Sequence, residues 1–579
     1  MTKTRLYAAL SLALLVTPVS QAAKYRVVEL PVANEGRNSF PSAINEDGNI
    51  TVNVRSPFNI PIDLDLLDFE SDTLINGLTD VDSASNGDFN STDYELLLGL
   101  IRSADGSQSA QQIADTISFL ASENSSNYIS GFDQLSEQDN KFSLSTTSIA
   151  RDLNDSGFIV GSGDGFYNKI DYTLASGDDI NLVVHEFGTR GFVSFGDTVI
   201  GLPAPDTTAG GFSDAFGINE SNQVAGYGTS LFLPETLQTA IADCKNDELV
   251  DDEDPDTQDF PLRGDTPVES CISSIVDSFT NSPTTFSQLR GLIWQLDAQG
   301  NLLDTKELGI LFEPEADDTA NYSSQALAIN DNGIAVGISN GQYTENGVTV
   351  IRNFGVIFDQ DQVINLSPEP DSAVARTSNT ISSATDINND NLVVGYQFKA
   401  VNGSNRTKFF VYDMNLDAIT FPDDFFLGSS SVALDINNNG LVVGYGEVDA
   451  SLTGRRTEGF LYDHAAKQFY AARDLISCDS PYRIVQTNSI NDKGEIGATA
   501  LYQGPSKNSR GEVILDSTGS ETIIDLVVAV KLVPITGGEL ENCDAPADDV
   551  NRDRQGASVS WIFVFGLAIL GWRRFKNRF

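Results

Sequence analysis

Four aspartates in one short segment have the spacing of oxygen ligands for a metal ion. Asp252, Asp254 and Asp256 alternate along the chain, and Asp259 follows closely. Carboxylate oxygens are the ligands that Ca²⁺ prefers, so the segment is a calcium candidate. No glycine follows Asp256 to make the sharp turn of an EF-hand loop, and Arg263 stands where the bidentate glutamate belongs. A solvated acidic loop is the favoured interpretation, and calcium binding is the alternative.

Catalytic chemistry finds little support elsewhere in the sequence. The two histidines, His185 and His464, stand beside ordinary strand or turn residues, and a structural role is favoured for each. No Walker-type phosphate loop is present. Carboxylate pairs of glycosidase type are expected by chance among 82 acidic residues, and the sequence does not select one pair. We therefore predict no catalytic and no cofactor-binding residues.

The charge and composition exclude other classes of protein. The formal net charge of −47 repels phosphate backbones, so nucleic acid is not an expected partner. A hydrophobic content of 40%, with 33 Phe and 16 Tyr, is too apolar for a disordered chain. The sequence predicts a folded, strongly acidic protein.

The two ends of the chain have the composition of sorting signals. Residues 1–23 combine Lys3 and Arg5 with an apolar run and a small-residue exit, which predicts a secretory signal peptide. Residues 556–579 combine small residues, an apolar stretch and a basic cluster. A helix over 557–572 would span roughly 24 Å of a hydrocarbon core near 30 Å, so this tail is a marginal membrane anchor or a cleaved signal. We expect export, with 541–555 as a linker.

Export places the four cysteines in an oxidising compartment. An even number of cysteines there predicts two disulfides, and four cysteines allow three pairings. We favour Cys244–Cys271, which closes a local acidic excursion. The other pair is then Cys478–Cys543, which ties the last repeat to the segment beyond it.

The elements that position these residues form a repeat. A turn motif of the form Ala-Ile-Asn-x-x-Gly, followed by a Val/Ile-rich run, recurs seven times. The amide side chain can cap its own turn, and the apolar run is typical of a buried strand. The repeated asparagines, for which we predict a structural role in the turn, are Asn45, Asn154, Asn219, Asn330, Asn388, Asn437 and Asn491.

A second apolar run, ending in Asp or a near equivalent, follows each motif. Three or four short strands per unit, repeated seven times, predict an all-β fold, a single β-propeller over residues 24–540. Residues 25–30 would add a strand to the last blade and close the ring, which removes exposed strand edges. An open β-solenoid or a pair of β-sandwiches is the alternative. The expected partner strands are 191–197, 291–297, 355–359, 410–413, 459–463 and 511–516, with 131–133 as a degenerate copy in the first unit.

Two units carry insertions. The insertion at about 55–127 has helical periodicity, with a capping-box spacing from Thr92 to Glu95 and a second amphipathic run over 110–120. The insertion at about 230–288 contains the acidic segment. A structural decoration is favoured over a gate for the helical insertion.

The repeat resembles the probable extracellular repeat, or HAF repeat, of exported bacterial proteins, and the tail resembles GlyGly-CTERM sorting signals. The whole chain resembles an uncharacterised family of exported Gram-negative proteins. These resemblances imply an extracytoplasmic propeller and a tail removed before surface delivery. They supply no catalytic residues.

The favoured function is an exported, surface-associated or membrane-anchored binding or scaffold protein, without enzymatic activity. Its partner would be a protein or glycan of the envelope or the cell exterior, with membrane contact through 557–572 if the tail is retained. Two alternatives stay open. One is a secreted enzyme acting on glycans or envelope polymers through carboxylates at the propeller mouth, and the other is a calcium-dependent adhesin.

Overall fold

Seven four-stranded antiparallel sheets make up the fold. The computed structural model describes residues 24–541, apart from 105, 137–139, 197, 251–258, 316–319 and 451–453, together with Cys543. We number the sheets as blades 1 to 7 and give their strands from the innermost outward. Blade 1 contains Gly36–Ile44, Ile50–Pro57, Thr116–Ala121 and Ser126–Ile129; blade 2 contains Ser148–Leu153, Ile159–Asp164, Thr189–Phe195 and Thr198–Leu202; blade 3 contains Ser213–Ile218, Gln223–Phe232, Ser287–Leu296 and Leu302–Glu307. Blade 4 contains Ser324–Ile329, Ala335–Glu345, Val348–Asp359 and Gln362–Asn365; blade 5 contains Ser382–Ile387, Leu392–Val401, Ser404–Asp413 and Ala418–Thr420; blade 6 contains Ser431–Ile436, Leu441–Glu447, Thr457–Asp463 and Gln468–Ala471; blade 7 contains Arg483–Ile490, Ile496–Pro505, Ile523–Pro534 and Tyr25–Glu29.

The blades close into a ring. Each innermost strand contacts the innermost strands of the blades before and after it, and that of blade 7 contacts that of blade 1. Tyr25–Glu29 pairs antiparallel with Ile523–Pro534, so both ends of the described chain share blade 7. The predicted seven-bladed β-propeller, closed by its first strand, is confirmed.

The hydrophobic core lies between the blades. Along the second strand of blade 5, Val393 packs toward blade 4 with Val336 and Ile357, whereas Val394 packs toward blade 6 with Val442. Successive side chains of a strand point to opposite faces of a sheet, so a continuous Val-Val pair serves two neighbouring interfaces. This is why the motif's apolar run carries no polar alternation.

Two predicted partner strands are wrong. In blade 1 the third strand is Thr116–Ala121, and Gly131 to Asp133 form a turn that follows the fourth strand. The expected helix over 110–120 is therefore wrong as well. In blade 7 the third strand is Ile523–Pro534, and 511–516 belongs to a small projecting ladder through the bridges Lys507–Val513 and Leu515–Glu521.

Three insertions leave the propeller from the same end. Each connects the second and third strands of its blade, and they cover 58–115 in blade 1, 165–188 in blade 2 and 233–286 in blade 3. We call these three segments the cap, and the opposite end, where the asparagine motifs lie, the turn face. The cap's helices are Leu64–Leu66 (3-10), Asp72–Gly77, Val81–Ser85, Ser91–Ser103, Glu235–Cys244, Val268–Thr280 and Pro283–Phe286, and its strands are Asn168–Thr173, Asp179–Val184, Leu249–Val250 and Phe260–Pro261. Short helices elsewhere are Thr208–Gly210 (3-10), Ser372–Ala375 and Ala472–Leu475.

The longest helix of the blade 1 insertion, Ser91–Ser103, is capped by a different residue from the one expected. Asn90 is the N-cap of Ser91–Ser103, and its side chain accepts hydrogen bonds from the N–H groups of Thr92 and Asp93. The buried face of this helix includes Tyr94, Leu97 and Leu98. The predicted signal peptide and C-terminal tail lie outside the described residues. Among the residues that are described, no helix has the length and apolar character needed to cross a bilayer.

Candidate functional site

The seven motif asparagines hold the turn face together. In every blade the Asn Oδ1 accepts the main-chain N–H four residues on, at 2.9–3.0 Å, which caps the turn. From Asn154 onward to Asn491, each Nδ2 donates to the main-chain oxygen of the motif Asn in the next blade, at 2.9–3.2 Å. These side chains are buried and internally satisfied, so they act as scaffold.

A second ring surrounds the first. The residue after each motif Asn donates its main-chain N–H to the side-chain oxygen of the equivalent residue in the next blade, at 2.6–2.9 Å, and the seven bonds close on themselves. This explains why an acidic or amide residue follows the asparagine in every repeat. The members are Glu46, Asp155, Glu220, Asp331, Asn389, Asn438 and Asp492.

Three carboxyl groups lie on the innermost strands of blades 2, 5 and 6. Asp152, Asp386 and Asp435 each accept the main-chain N–H of a residue on the next blade's innermost strand, at 2.8–2.9 Å. Burial raises the pKa of all three, that of Asp152 to about 7. For Asp386 the neighbouring Asp435 carboxyl raises the pKa further.

This arrangement predicts a stability that falls as the pH rises. Asp152 has a folded-state pKa near 7 and an ordinary value of 3.8, so its contribution is present at acidic pH and is lost as the pH rises through 7. Asp152 Oδ2 accepts Ile218 N–H and Oδ1 accepts Leu153 N–H, each at 2.8 Å. Asp152→Asn removes the buried charge and keeps an acceptor oxygen for one of these two donors. We expect the change in the free energy of unfolding that this substitution causes to be about 2–4 kcal/mol more favourable at pH 8 than at pH 4. Urea unfolding at both pH values measures this. The control is Asp361→Asn at an exposed position, and an equal effect of both substitutions would contradict the assignment.

The three parts of the cap hold one another in place. The main-chain oxygen of Gln108 in the first insertion accepts from Val183 N–H in the second, at 2.7 Å. The side chain of Gln108 also exchanges two hydrogen bonds with Ser270 in the third insertion. Lys169 forms ion pairs with Asp63 and Asp65 at 3.1 and 2.9 Å. The cap is therefore one connected layer over blades 1 to 3.

A pocket of ≈ 460 Å³ lies where the three insertions meet the propeller. We call it the cap pocket. Its polar lining comes from all three insertions and from blade 2, and it includes Gln108, Gln112, Asp115, Ser145, Thr147, Asp164, His185, Asp277 and Asn281. No lysine or arginine stands among the lining residues within the described part of the chain.

His185 joins the insertions inside this pocket. Its Nε2 lies 2.9 Å from Asp277 Oδ1 and 3.1 Å from Gln112 Nε2, and its main-chain N–H donates to Ser273 Oγ at 3.1 Å. The Gln112 amide nitrogen is the hydrogen-bond partner of Nε2, and the Asp277 carboxyl lies at ion-pair distance from the same atom. The buried Nδ1 has no hydrogen-bond partner among the described residues.

Asp164 supplies the most perturbed acid of the pocket. Thr189 Oγ1 donates to Asp164 Oδ1 at 3.2 Å. Burial raises the pKa of Asp164 to about 6, against hydrogen bonds from Thr189 and Thr147 and the nearby His185, which lower it. The Asp115 carboxyl acts in the same direction as burial. The pocket thus combines titratable groups with amide and hydroxyl groups, as ligand sites do.

Apart from His185, the residues singled out from the sequence lie outside the cap pocket. Asp252, Asp254 and Asp256 are outside the described residues, and Asp259 is exposed. Calcium binding there stays a prediction: Ca²⁺ should raise the melting temperature, and changing all three of those aspartates to Asn should abolish the shift. His464 lies in a different groove of ≈ 700 Å³ between blades 5 and 6, with Tyr462 and Phe469.

The cysteines and the cap pocket illustrate what the sequence could and could not indicate. The favoured Cys244–Cys271 disulfide is confirmed, and Cys478 and Cys543 are disulfide-bonded too. The sequence did not predict the pocket because its lining comes from three separate insertions. The insertion of blade 2 lies between Asn154 and Asn219, and the distance between these two asparagines is close to that of a repeat without an insertion. The available signal was His185, one of only two histidines in the chain.

Comparison with known proteins places the chain in a family. A family model described as a protein of unknown function, DUF3466, matches residues 4–575. The chain belongs to this family. None of the curated proteins matches this DUF3466 chain. Among solved structures, it is similar to a Trypanosoma rangeli sialidase in complex with sialic acid, with 11% sequence identity and a TM-score of 0.27. That similarity covers 72% of the DUF3466 chain and 56% of the sialidase chain.

Proposed function

We propose that this chain is an exported, surface-associated binding protein without enzymatic activity, and that it holds a glycan in the cap pocket. The observation that carries this is the convergence of amide, hydroxyl and carboxyl groups from three mutually braced insertions on one cavity of ≈ 460 Å³. Hydroxyl-rich ligands are recognised by such placed polar groups. The disulfide Cys244–Cys271 supports an oxidising compartment.

Export and anchoring are part of this proposal. We infer that residues 1–23 are removed as a signal peptide, and that 556–579 are a membrane anchor or a removed sorting tail of GlyGly-CTERM type. Intact mass of the protein from envelope and medium fractions separates these cases. A mass ending near Gln555 to Ser558 means a removed tail, a mass that includes Phe579 means an anchor, and a mass that includes residues 1–23 overturns the signal peptide.

The binding function is tested on the mature chain with a panel of immobilised glycans. For any glycan that binds, Gln112→Ala and Asn281→Ala remove uncharged polar groups of the pocket and should each weaken binding about tenfold, as expected when a partner of a ligand hydrogen bond is lost. Asp361→Asn, on the turn face, should have no effect. Absence of binding across the panel, or binding that ignores both pocket substitutions, argues against the proposal.

A second candidate is cleavage of a glycosidic bond. Burial raises the pKa of Asp164 to about 6, so roughly a tenth of these carboxyl groups are protonated at pH 7 and can act as a general acid. Release of reducing sugar from a bound glycan, lost in Asp164→Asn, would support hydrolysis. A glycan recovered intact after prolonged incubation would favour binding alone.

A further inference from the structure

A smaller pocket lies where blade 7 meets blade 1. Its volume is ≈ 140 Å³, and residues of both blades line it at the end of the propeller that carries the cap. We call it the closure pocket. The lining residues that decide its chemistry are Arg37, Tyr502, Pro505, Lys507, Leu526 and Val528. It shares no lining residue with the cap pocket within the described chain, so it is a separate site.

The walls of the closure pocket are mainly apolar. Tyr502, Pro505, Leu526 and Val528 contribute them from blade 7. Val528 is buried, and Tyr502 and Leu526 pack against the hydrophobic cluster to which it belongs. An apolar cavity of about 150 Å³ holds one molecule of the size of benzene. The closure pocket therefore fits a single phenyl or branched alkyl group.

Two basic side chains line the same pocket. Arg37 lies on the innermost strand of blade 1, and Lys507 follows the second strand of blade 7. Lys507 Nζ donates to Asn34 Oδ1 at 2.8 Å and to the main-chain oxygen of Ala33 at 3.3 Å, and both acceptors are uncharged. Neither basic group forms an ion pair with a residue that the structure describes. Both charges can therefore serve an anionic group of a ligand.

Glu29 is the acidic residue among the described lining residues, and its carboxylate is engaged. Tyr482 Oη donates to Glu29 Oε2 at 2.6 Å. Glu29 lies on the outermost strand of blade 7, whereas Arg37 lies on the innermost strand of blade 1. The net charge of −47 disfavours anions at long range, but physiological salt screens charges that are more than about 8 Å away. The two basic groups therefore dominate the field on their side of the pocket.

We propose that the closure pocket binds a carboxylate attached to an apolar group of about the size of benzene. The apolar group would lie against Tyr502, Leu526 and Val528, and the carboxylate would accept hydrogen bonds from Arg37 and Lys507. Such charge-assisted bonds are roughly twice as strong as neutral ones. Small aromatic acids have this chemistry, and so does an apolar last residue of a peptide. This site goes beyond the proposed glycan binding and does not depend on it.

Binding in this pocket would also stabilise the closed ring. The pocket is complete only when blade 7 and blade 1 are in contact, because each blade supplies part of its lining. A ligand that binds only the closed form stabilises that form by mass action. Ala529 N–H donates to Ser39 Oγ across the same interface, at 2.8 Å. We therefore expect the bound acid to slow hydrogen exchange in Ile523–Pro534.

The experiment compares acids with their uncharged amides. Isothermal titration calorimetry on the oxidised chain at pH 7 uses phenylacetate and phenylacetamide, which differ in the charged group. N-acetylglycylphenylalanine and its C-terminal amide make the same comparison for the end of a peptide. We expect at least one of the two acids to bind about tenfold or more tightly than its amide, and the acid that does so identifies the source of the carboxylate.

Variants assign the binding to the pocket. Arg37→Gln and Lys507→Gln should each weaken binding of the acid about tenfold. Lys245→Gln, which removes an exposed lysine of the cap, is the matched control and should have no effect. Ala33→Phe places a large side chain at an exposed lining position and should abolish binding. Unchanged urea midpoints show that the variants are folded, and the comparison of acid with amide needs no variant.

Three results would overturn the proposal. Equal binding of acids and amides removes the role of the two basic groups. Binding that ignores Arg37→Gln and Lys507→Gln places the ligand at another site. Absence of binding by all four compounds removes the site itself. Glycan binding in the cap pocket is judged on its own panel, so its failure and the failure of the closure pocket are distinguishable.

Discussion

Replacing Gly337 with alanine is expected to lower the free energy of unfolding by about 3 kcal/mol. A Cβ at Gly337 would lie 1.9 Å from the main-chain oxygen of Gln325 on the neighbouring innermost strand, so one of the two strands must move. The bulge between Ala326 and Ala328 brings this part of the strand close to the glycine. Urea denaturation followed by tryptophan fluorescence measures the change.

The same close approach recurs around the ring. The glycine seven positions after the motif Asn stands 2.0–2.2 Å, measured from its ideal Cβ, from an innermost-strand carbonyl in four other blades, at Gly161, Gly226, Gly395 and Gly444. Blade 7 has Ala498 at this position, and its innermost strand shows two register shifts where the others show one. Ala498→Gly is therefore the matched control, with an expected loss of about 1 kcal/mol or less. A change under 1 kcal/mol for Gly337→Ala would contradict the steric explanation.

Removing the Cys244–Cys271 disulfide is expected to loosen the cap and to weaken ligand binding there. The bond joins Glu235–Cys244 to Val268–Thr280, and the second helix carries Ser270, Ser273 and Asp277 into the cap contacts. A disulfide of this loop length contributes about 3 kcal/mol, here to the local stability of the insertion. In the Cys244→Ser/Cys271→Ser double variant, hydrogen exchange along Val268–Thr280 should accelerate by about two orders of magnitude, with the strands of blades 5 and 6 unchanged.

A control substitution on the same helix separates the disulfide from the helix itself. Ser278 is exposed and donates to the main-chain oxygen of Ser274, so Ser278→Ala should leave exchange in Val268–Thr280 nearly unchanged. If the double variant exchanges like the unsubstituted chain, the packing of Phe279 and Ile275 alone holds the helix, and the disulfide is dispensable for the pocket.

The repeat could be recognised from the sequence because its decisive contacts are local. The Asn cap, the glycine in the turn and the Val-Val run fall within about ten residues, so their spacing is visible along the chain. Asn388, for example, caps its turn through Leu392 N–H and reaches the next blade through Asn437 O. Seven such units account for the blade count.

The third strands of blades 1 and 7 could not be assigned in this way. Residues 511–516 have the expected apolar pattern, yet Val513 and Leu515 are 39% and 58% exposed. The longer run Ile523–Pro534 takes the position because it pairs on both sides, with Ile496–Pro505 and with Tyr25–Glu29. Two segments could serve as the third strand of blade 7, and long-range strand pairing decides between them. A local sequence pattern contains no information about such pairing.

The residues that line the cap pocket could not be predicted from the sequence, for a related reason. Asp277 lies on a helix of the third insertion, His185 follows a hairpin of the second, and Gln112 belongs to a segment of the first that has no regular secondary structure. These three residues come together only because the insertions pack against one another. The spacing of residues along the chain contains no information about that packing. The sequence places functional residues on insertions in general and does not select these three.

Blade 7 can form only when both ends of the described chain are present. Its outermost strand comes from the start of the described chain and its other three strands from the far end. Tyr25–Glu29 precedes blades 1 to 6 in the chain, but it can pair only once its partner Ile523–Pro534 is present. A product truncated before residue 523 therefore keeps raw strand edges, which are available to proteases and to other incomplete chains. Only a chain that includes both Tyr25–Glu29 and Ile523–Pro534 can close the ring.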